Sequence, residues 1–229
     1  MATITGGGPD DASAIGESRW PPVLVVLLFM VLHITVHLRI SDTSQVVKLP
    51  WLVPLLEAIL AAALMTVNPS GLIEARRRHR AAVAIVLLLA VSALYGTAVL
   101  IKDLILGTGV ANEAGDLLAA ATIVWLGNNL AFALLYWLMD AGGPIARSQG
   151  RAGPMDFAFT QQLSPEVMPP GWRPVFLDYL HLGFTNATAF SPTDVMPLTL
   201  RAKYTMLVQS TVALALFTLV VARSVNAFT

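Results

Sequence analysis

Asp178, His181, Thr185 and Thr188 are spaced three, four and three residues apart in PVFLDYLHLGFTNAT. On a helix these positions share one face, so a carboxylate, an imidazole and two hydroxyls form one polar stripe. Bordering water, such a stripe can hand on protons or weakly coordinate a small cation. The alternative is hydrogen bonding between helices, with Asp178 close to lipid headgroups. Asn186 belongs to the same segment, and Asp194 follows it closely.

Four further polar residues sit within apolar runs. Glu57 lies in LPWLVPLLEAILAAALMTV, Asn128 and Asn129 in WLGNNLAFALLYW, and Gln209 in the last apolar segment. An ionisable residue at the centre of a bilayer costs about 2.5–3.5 kcal/mol on insertion scales, so Glu57 is expected to face protein or water. Its role is either a proton or cation site or a packing residue that is protonated or hydrogen-bonded. The amides are most often interhelical glue, and they could also line the same interior as the stripe.

His33 and His37 lie one turn apart, a spacing that can ligate a metal when third and fourth ligands converge. No further ligand is identifiable, so no metal and no cofactor is expected. G-x-S-x-G, HExxH and P-loop patterns are absent from the sequence, and paired catalytic carboxylates are not evident. An enzyme is the least supported class.

These side chains must be positioned by apolar elements. Of 229 residues, 56% are hydrophobic and only 12% charged, against roughly 25% charged in an ordinary soluble domain. The composition predicts an integral membrane protein whose first partner is the lipid bilayer. The formal net charge is zero, which offers no basic tract for nucleic acid. Cysteine is absent, so disulfides and thiolate metal sites are excluded.

Residues 1–20 read as a flexible tail. Four apolar segments follow at 21–40, 49–67, 81–106 and 117–139, each near the ~20 residues that cross a ~30 Å hydrocarbon core as a helix. Residues 140–173 read as a cytoplasmic loop, with local structure around 155–159. A short polar fifth helix at 174–190, the SPTD turn and a last spanning helix at 198–228 complete the chain. The expected fold is an all-α polytopic membrane bundle of about six helices, the fifth spanning or re-entrant.

Four arginines in RRRHR, Arg76–Arg80, place the loop after the second helix in the cytoplasm by the positive-inside rule. Strict alternation then puts both termini in the cytoplasm and makes the fifth helix a full crossing, with re-entry as the alternative. It also leaves Arg39, Lys48, Lys102, Arg201 and Lys203 on the outer side, against the rule.

The stretch Thr188, Ala189, Phe190, Ser191, Pro192, Thr193, Asp194 and then Pro197 looks like the threonine-to-aspartate signature of a potassium-channel filter with its following proline. That filter needs inward-aimed carbonyls from a glycine-bearing loop. Here Phe, Ser, Pro and Thr stand in place of the glycines, and Pro192 fixes its own φ, so a working potassium filter is not expected. The same residues also fit a helix start, with Ser191 as N-cap, Pro192 first and Asp194 third.

More widely, Phe132 to Tyr136, Asp156 with Phe157, Asp178 to Thr185, Thr188 to Phe190, Asp194, and Arg201 with Lys203 resemble the second half of a bacterial family of small inner-membrane proteins catalogued as a domain of unknown function. The resemblance covers residues 80–228. The chain departs from the pattern by the inserted Pro192 and Thr193 and by a longer loop before the fifth helix. The resemblance implies a six-helix fold in the bacterial plasma membrane and supplies no activity.

Two functions are therefore expected as alternatives. One is a channel-like or transporter-like protein for protons or small ions, along Asp178, His181, Thr185, Thr188 and Asp194. The other is a scaffold or accessory subunit of a membrane complex. A homo-oligomer goes with the first and a membrane-complex partner with the second.

Overall fold

The computed structural model describes residues 17–18, 20–40, 52–65, 72–106, 114–148, 150–167, 169, 171–189, 191 and 194–227. Among them are eight α-helices: α1 (Trp20–Ile40), α2 (Leu52–Met65), α3 (Leu72–Leu106), α4 (Ala114–Met139), α5 (Pro144–Ser148), α6 (Thr160–Leu163), α7 (Phe176–Thr188) and α8 (Leu200–Ala227). Two strands, β1 (Phe157–Phe159) and β2 (Val195–Pro197), form an antiparallel ladder that pairs Phe157 with Pro197 and Phe159 with Val195. An all-α fold is present, and three helices are long and apolar enough to cross a membrane.

The six expected segments all recur as helices. Two further helices, α5 and α6, lie in the stretch read as a loop, which brings the total among the described residues to eight. The arginine run is corrected too. Arg76–Arg80 do not form a loop but belong to the first turns of α3, since Arg and Ala are strong helix formers.

α4 is the central helix and packs on α1, α3, α7 and α8. In its apolar window 67% of residues are buried, against 28% in α3 and 22% in α8, so α4 forms the core that the others surround. Small residues let the backbones approach. A Cβ on Gly183 of α7 would sit 3.3 Å from Ala133 Cβ and from the Asn129 carbonyl of α4. One on Gly127 would meet the Phe29 ring of α1 at 2.6 Å.

Directions follow from contacts along α4. Glu17, just before α1, bonds to Trp137, at the C-terminal end of α4. Gly143, just past that end, lies against His79 near the start of α3. Leu216 of α8 clusters with Leu117, Ala120 and Ala121, at the opposite end. α8 therefore starts at the Trp137 end and runs antiparallel to α4.

α7 starts at that same end. Phe176 packs on Trp137 with ring centroids 5.6 Å apart, and eight residues on, Phe184 meets Trp125 at 4.9 Å. α7 therefore descends beside α4 for 13 residues, about 20 Å at 1.5 Å per residue. The chain then turns back. Asp194 lies 4.0 Å from His181 in mid-helix, and β2 joins β1, whose Phe157 packs on Tyr136 and Tyr179.

α7 thus runs down beside α4, and the chain after it comes back to the end at which the helix starts. With α8 beginning there, Arg201 and Lys203 share the end that carries Arg76–Arg80. These are two of the five charges that strict alternation had left on the wrong side.

The reading of Ser191 to Asp194 as a helix start falls partly outside the described residues. The ladder takes 195–197 in extended form, and the cap of the last helix is Thr199, whose hydroxyl accepts the Ala202 N–H at 3.3 Å. Phe190, Pro192 and Thr193 lie outside the described residues. The side chains of His33 and His37 are likewise outside them.

Candidate functional site

The hairpin of α7 and its return is held by a polar cage at the Trp137 end. α4 ends in a turn where Ala141 (φ 51), Gly142 (φ 84) and Gly143 (φ 88) are all left-handed. A side chain at Gly143 would collide with His79 at 2.7 Å and the Leu138 carbonyl at 2.9 Å, so the position requires glycine on two counts. The turn aims Asp140 inward, where its carboxylate is 1% exposed. Asp140 Oδ1 accepts the backbone N–H groups of Asp156 (2.7 Å) and Phe157 (3.2 Å), and Oδ2 accepts the Tyr179 hydroxyl at 2.5 Å. One carboxylate thus joins α4, β1 and α7.

A second buried carboxylate secures the other strand and α8. Asp156 accepts Arg201 Nε at 2.6 Å and Nη2 at 2.5 Å, a bidentate pair, together with the Thr199 hydroxyl at 2.5 Å. The Asp156 carbonyl accepts the Leu198 N–H at 2.8 Å. Burying a carboxylate is tolerable only when its lone pairs are met, and here both are.

Arg147 of α5 closes the cage. Its guanidinium donates to the carbonyls of Trp137 (3.0 Å) and Asp140 (2.7 Å), pairs with Glu17 at 3.3 Å, and lies over the Tyr179 ring at 5.2 Å. Glu17 also accepts Trp137 Nε1 at 2.7 Å and the Phe176 N–H at 2.6 Å. Burial pushes the Glu17 carboxyl above its usual range, while Arg147, Trp137 and Phe176 pull the other way.

Deeper in the bundle, amides stitch α4, α7 and α8 together. Gln209 is fully buried. It accepts the Tyr136 hydroxyl (2.6 Å) and Asn186 Nδ2 (2.8 Å), and donates to the Gly183 carbonyl (2.9 Å) and Asn129 Oδ1 (3.4 Å). Asn186 also donates to the Met206 carbonyl, and Asn129 to the Trp125 carbonyl. These amides are satisfied by one another. Asn128 is buried on α4, and its Oδ1 accepts no hydrogen bond among the described residues; Glu57 is buried on α2.

The stripe of Asp178, His181, Thr185 and Thr188 lies elsewhere. The face of α7 that packs on its neighbours carries Phe176, Tyr179, Leu182, Gly183, Asn186 and Ala187. The stripe is on the other face, where His181 and Thr188 are exposed and Asp178 and Thr185 half-buried. An interior-facing stripe, as the sequence led us to expect, is therefore not what a single chain forms. The amphipathic spacing fixes which residues share a face, but not which face the neighbours take. Here Gly183 and the large aromatics of the opposite face win the contact with α4.

Each stripe residue is nevertheless held in place. Asp178 Oδ2 accepts the Val175 N–H at 2.7 Å and caps the helix. Thr185 donates to the His181 carbonyl at 3.0 Å and Thr188 to the Phe184 carbonyl at 2.8 Å. His181 faces Asp194 across the return. No cluster of three or more His, Cys, Asp or Glu suited to a metal occurs among the described residues.

Asp140, Asp156, Arg147, Tyr136 and Tyr179 were not singled out from the sequence as site residues. Tyr136, Asp156 and Tyr179 fall within stretches that carry the family resemblance, whereas Asp140 and Arg147 do not. No family model, no curated protein and no solved structure matches this chain.

Proposed function

We propose that the chain is an integral protein of a bacterial plasma membrane and provides a channel-like path for protons or small ions along the outer side of α7. The observation that carries this reading is the hairpin: a short helix that starts and returns at one end of the bundle, with Asp178, His181, Thr185, Thr188 and Asp194 on its outer side. Lipid tolerates non-helical backbone at depth only where protein buries it or water bathes it. It equally disfavours an outward carboxylate and imidazole. Water beside α7 satisfies both requirements.

The family and pore-module resemblances belong to this reading. The return segment has no glycine, so the path lacks the carbonyl cage of a potassium filter. Arg76–Arg80, Arg147, Arg151, Arg173, Arg201 and Lys203 gather toward one end, which is cytoplasmic by the charge rule. The N-terminal end at Glu17 is then inside and the end of α8 outside, in place of the shared side expected from alternation.

The test is ion flux in liposomes from wild type and Asp178→Asn, a change that keeps a capping side chain. Flux from wild type that falls in the variant is expected. Equal leakage from both and from empty vesicles contradicts the reading. The second reading, a non-conducting accessory subunit, draws on the same outward stripe, which also suits a partner helix. A stoichiometric partner in mild detergent would favour it.

A further inference from the structure

Resting on that reading, we infer that the outer face of α7 and its return is where copies of this chain meet, and that the path they enclose takes small cations and rejects anions. A single chain builds only one wall of a passage. The five polar residues are flanked by exposed Leu177 and Phe184 on α7, and exposed Tyr204, Leu207 and Val208 line α8. A polar strip edged by apolar side chains cannot be shared between lipid and water without another protein surface to seal it. The strip is also self-complementary, since each copy carries the imidazole of His181 beside the carboxylates of Asp178 and Asp194. The imidazole offers an N–H donor and the carboxylates offer acceptors, so a second copy meets complementary hydrogen-bonding groups without needing a foreign partner, and around a rotation axis the five residues of each copy complete the walls the first copy lacks.

The chemistry of the face selects the sign of the ion. The Thr185 and Thr188 hydrogens are committed to carbonyls of their own helix, so the lone pairs of their oxygens are what they offer outward. Asp178 and Asp194 add carboxylate oxygens. α7 ends part-way down the bundle, and its C-terminal dipole places partial negative charge there. Oxygen acceptors and a negative helix end suit a cation and repel an anion.

The chain has no cysteine, so single cysteines report cleanly. Thr188→Cys in native membranes, treated with an oxidant, is expected to give covalently linked copies. Val91→Cys on the exposed side of α3 (62% exposed) is expected to stay monomeric. In liposomes, potassium flux should exceed chloride flux, and the ratio should fall several-fold in Asp178→Asn/Asp194→Asn, whose folding is checked by gel filtration. Flux without linkage at Thr188 overturns the assembly while leaving the path intact. Linkage with equal potassium and chloride flux overturns the cation preference. Linkage without any flux overturns the proposed path and this inference with it.

Discussion

The Tyr179 hydroxyl of α7 donates to the buried carboxylate of Asp140 at 2.5 Å across 39 positions of chain. That bond fixes the start of α7 to the end of the central helix. The same carboxylate holds β1 through two backbone N–H groups, so the hairpin's entry and its return share one anchor.

Tyr179→Phe keeps the ring and removes the donor. Asp140 Oδ2 is then left buried with one partner fewer, a loss of about 1–3 kcal/mol. Thermal unfolding in detergent should show a clear drop, and an unchanged melting temperature would contradict the role assigned to the bond.

Arg201→Ala strips Asp156 of its bidentate partner. Asp156 is fully buried while the Arg201 side chain is 61% exposed, so water can reach part of the gap. A cost of about 3 kcal/mol, the lower end for one-sided loss of a buried pair, is expected. Arg201→Lys should recover only part of it, because an ammonium cannot make the fork. Equal rescue by Lys would argue against the bidentate geometry.

Gln209→Leu and Asn128→Leu should differ in sign although both remove a buried amide. Gln209 meets four partners on α4 and α7, and its loss leaves them unsatisfied at about 1–3 kcal/mol. Asn128 has a carbonyl oxygen that no described group serves, so Leu there should be neutral or stabilising. Detergent melting of the two variants side by side checks the contrast.

Glu17 predicts a pH dependence. Burial raises its folded carboxyl above the ordinary value, against the pull of Arg147, Trp137 and Phe176, so the folded protein holds this proton more tightly than the unfolded chain. Stability should fall as pH rises from the ordinary carboxylate range through the raised value, and level off above it. Glu17→Gln should flatten that stretch of the melting profile. A wild-type profile that rises over the same window would contradict the direction.

Much of the bundle was legible from hydropathy alone, because apolar length is what a bilayer selects. All six expected segments recur as helices, and the spacing of Asp178, His181, Thr185 and Thr188 placed them on one face correctly. The direction of α7 was not legible. It depends on Asp140 and Asp156 reaching groups 16 to 45 positions away, and a single sequence carries no sign of such pairings. Alternation counts crossings and has no term for a helix that turns back. Once the chain returns after α7, Arg201 and Lys203 lie at the end that carries Arg76–Arg80. The five-residue α5 and the three-residue strands were too short to leave a periodic trace.

Single cysteines at Asp178, His181, Thr185 and Thr188, probed with a membrane-impermeant thiol reagent from each side of oriented vesicles, test the re-entrant, hydrated hairpin most directly. All four should be labelled from the side that carries Arg76–Arg80. Labelling of Thr188→Cys from the opposite side alone, or of none of the four in a folded protein, would contradict it.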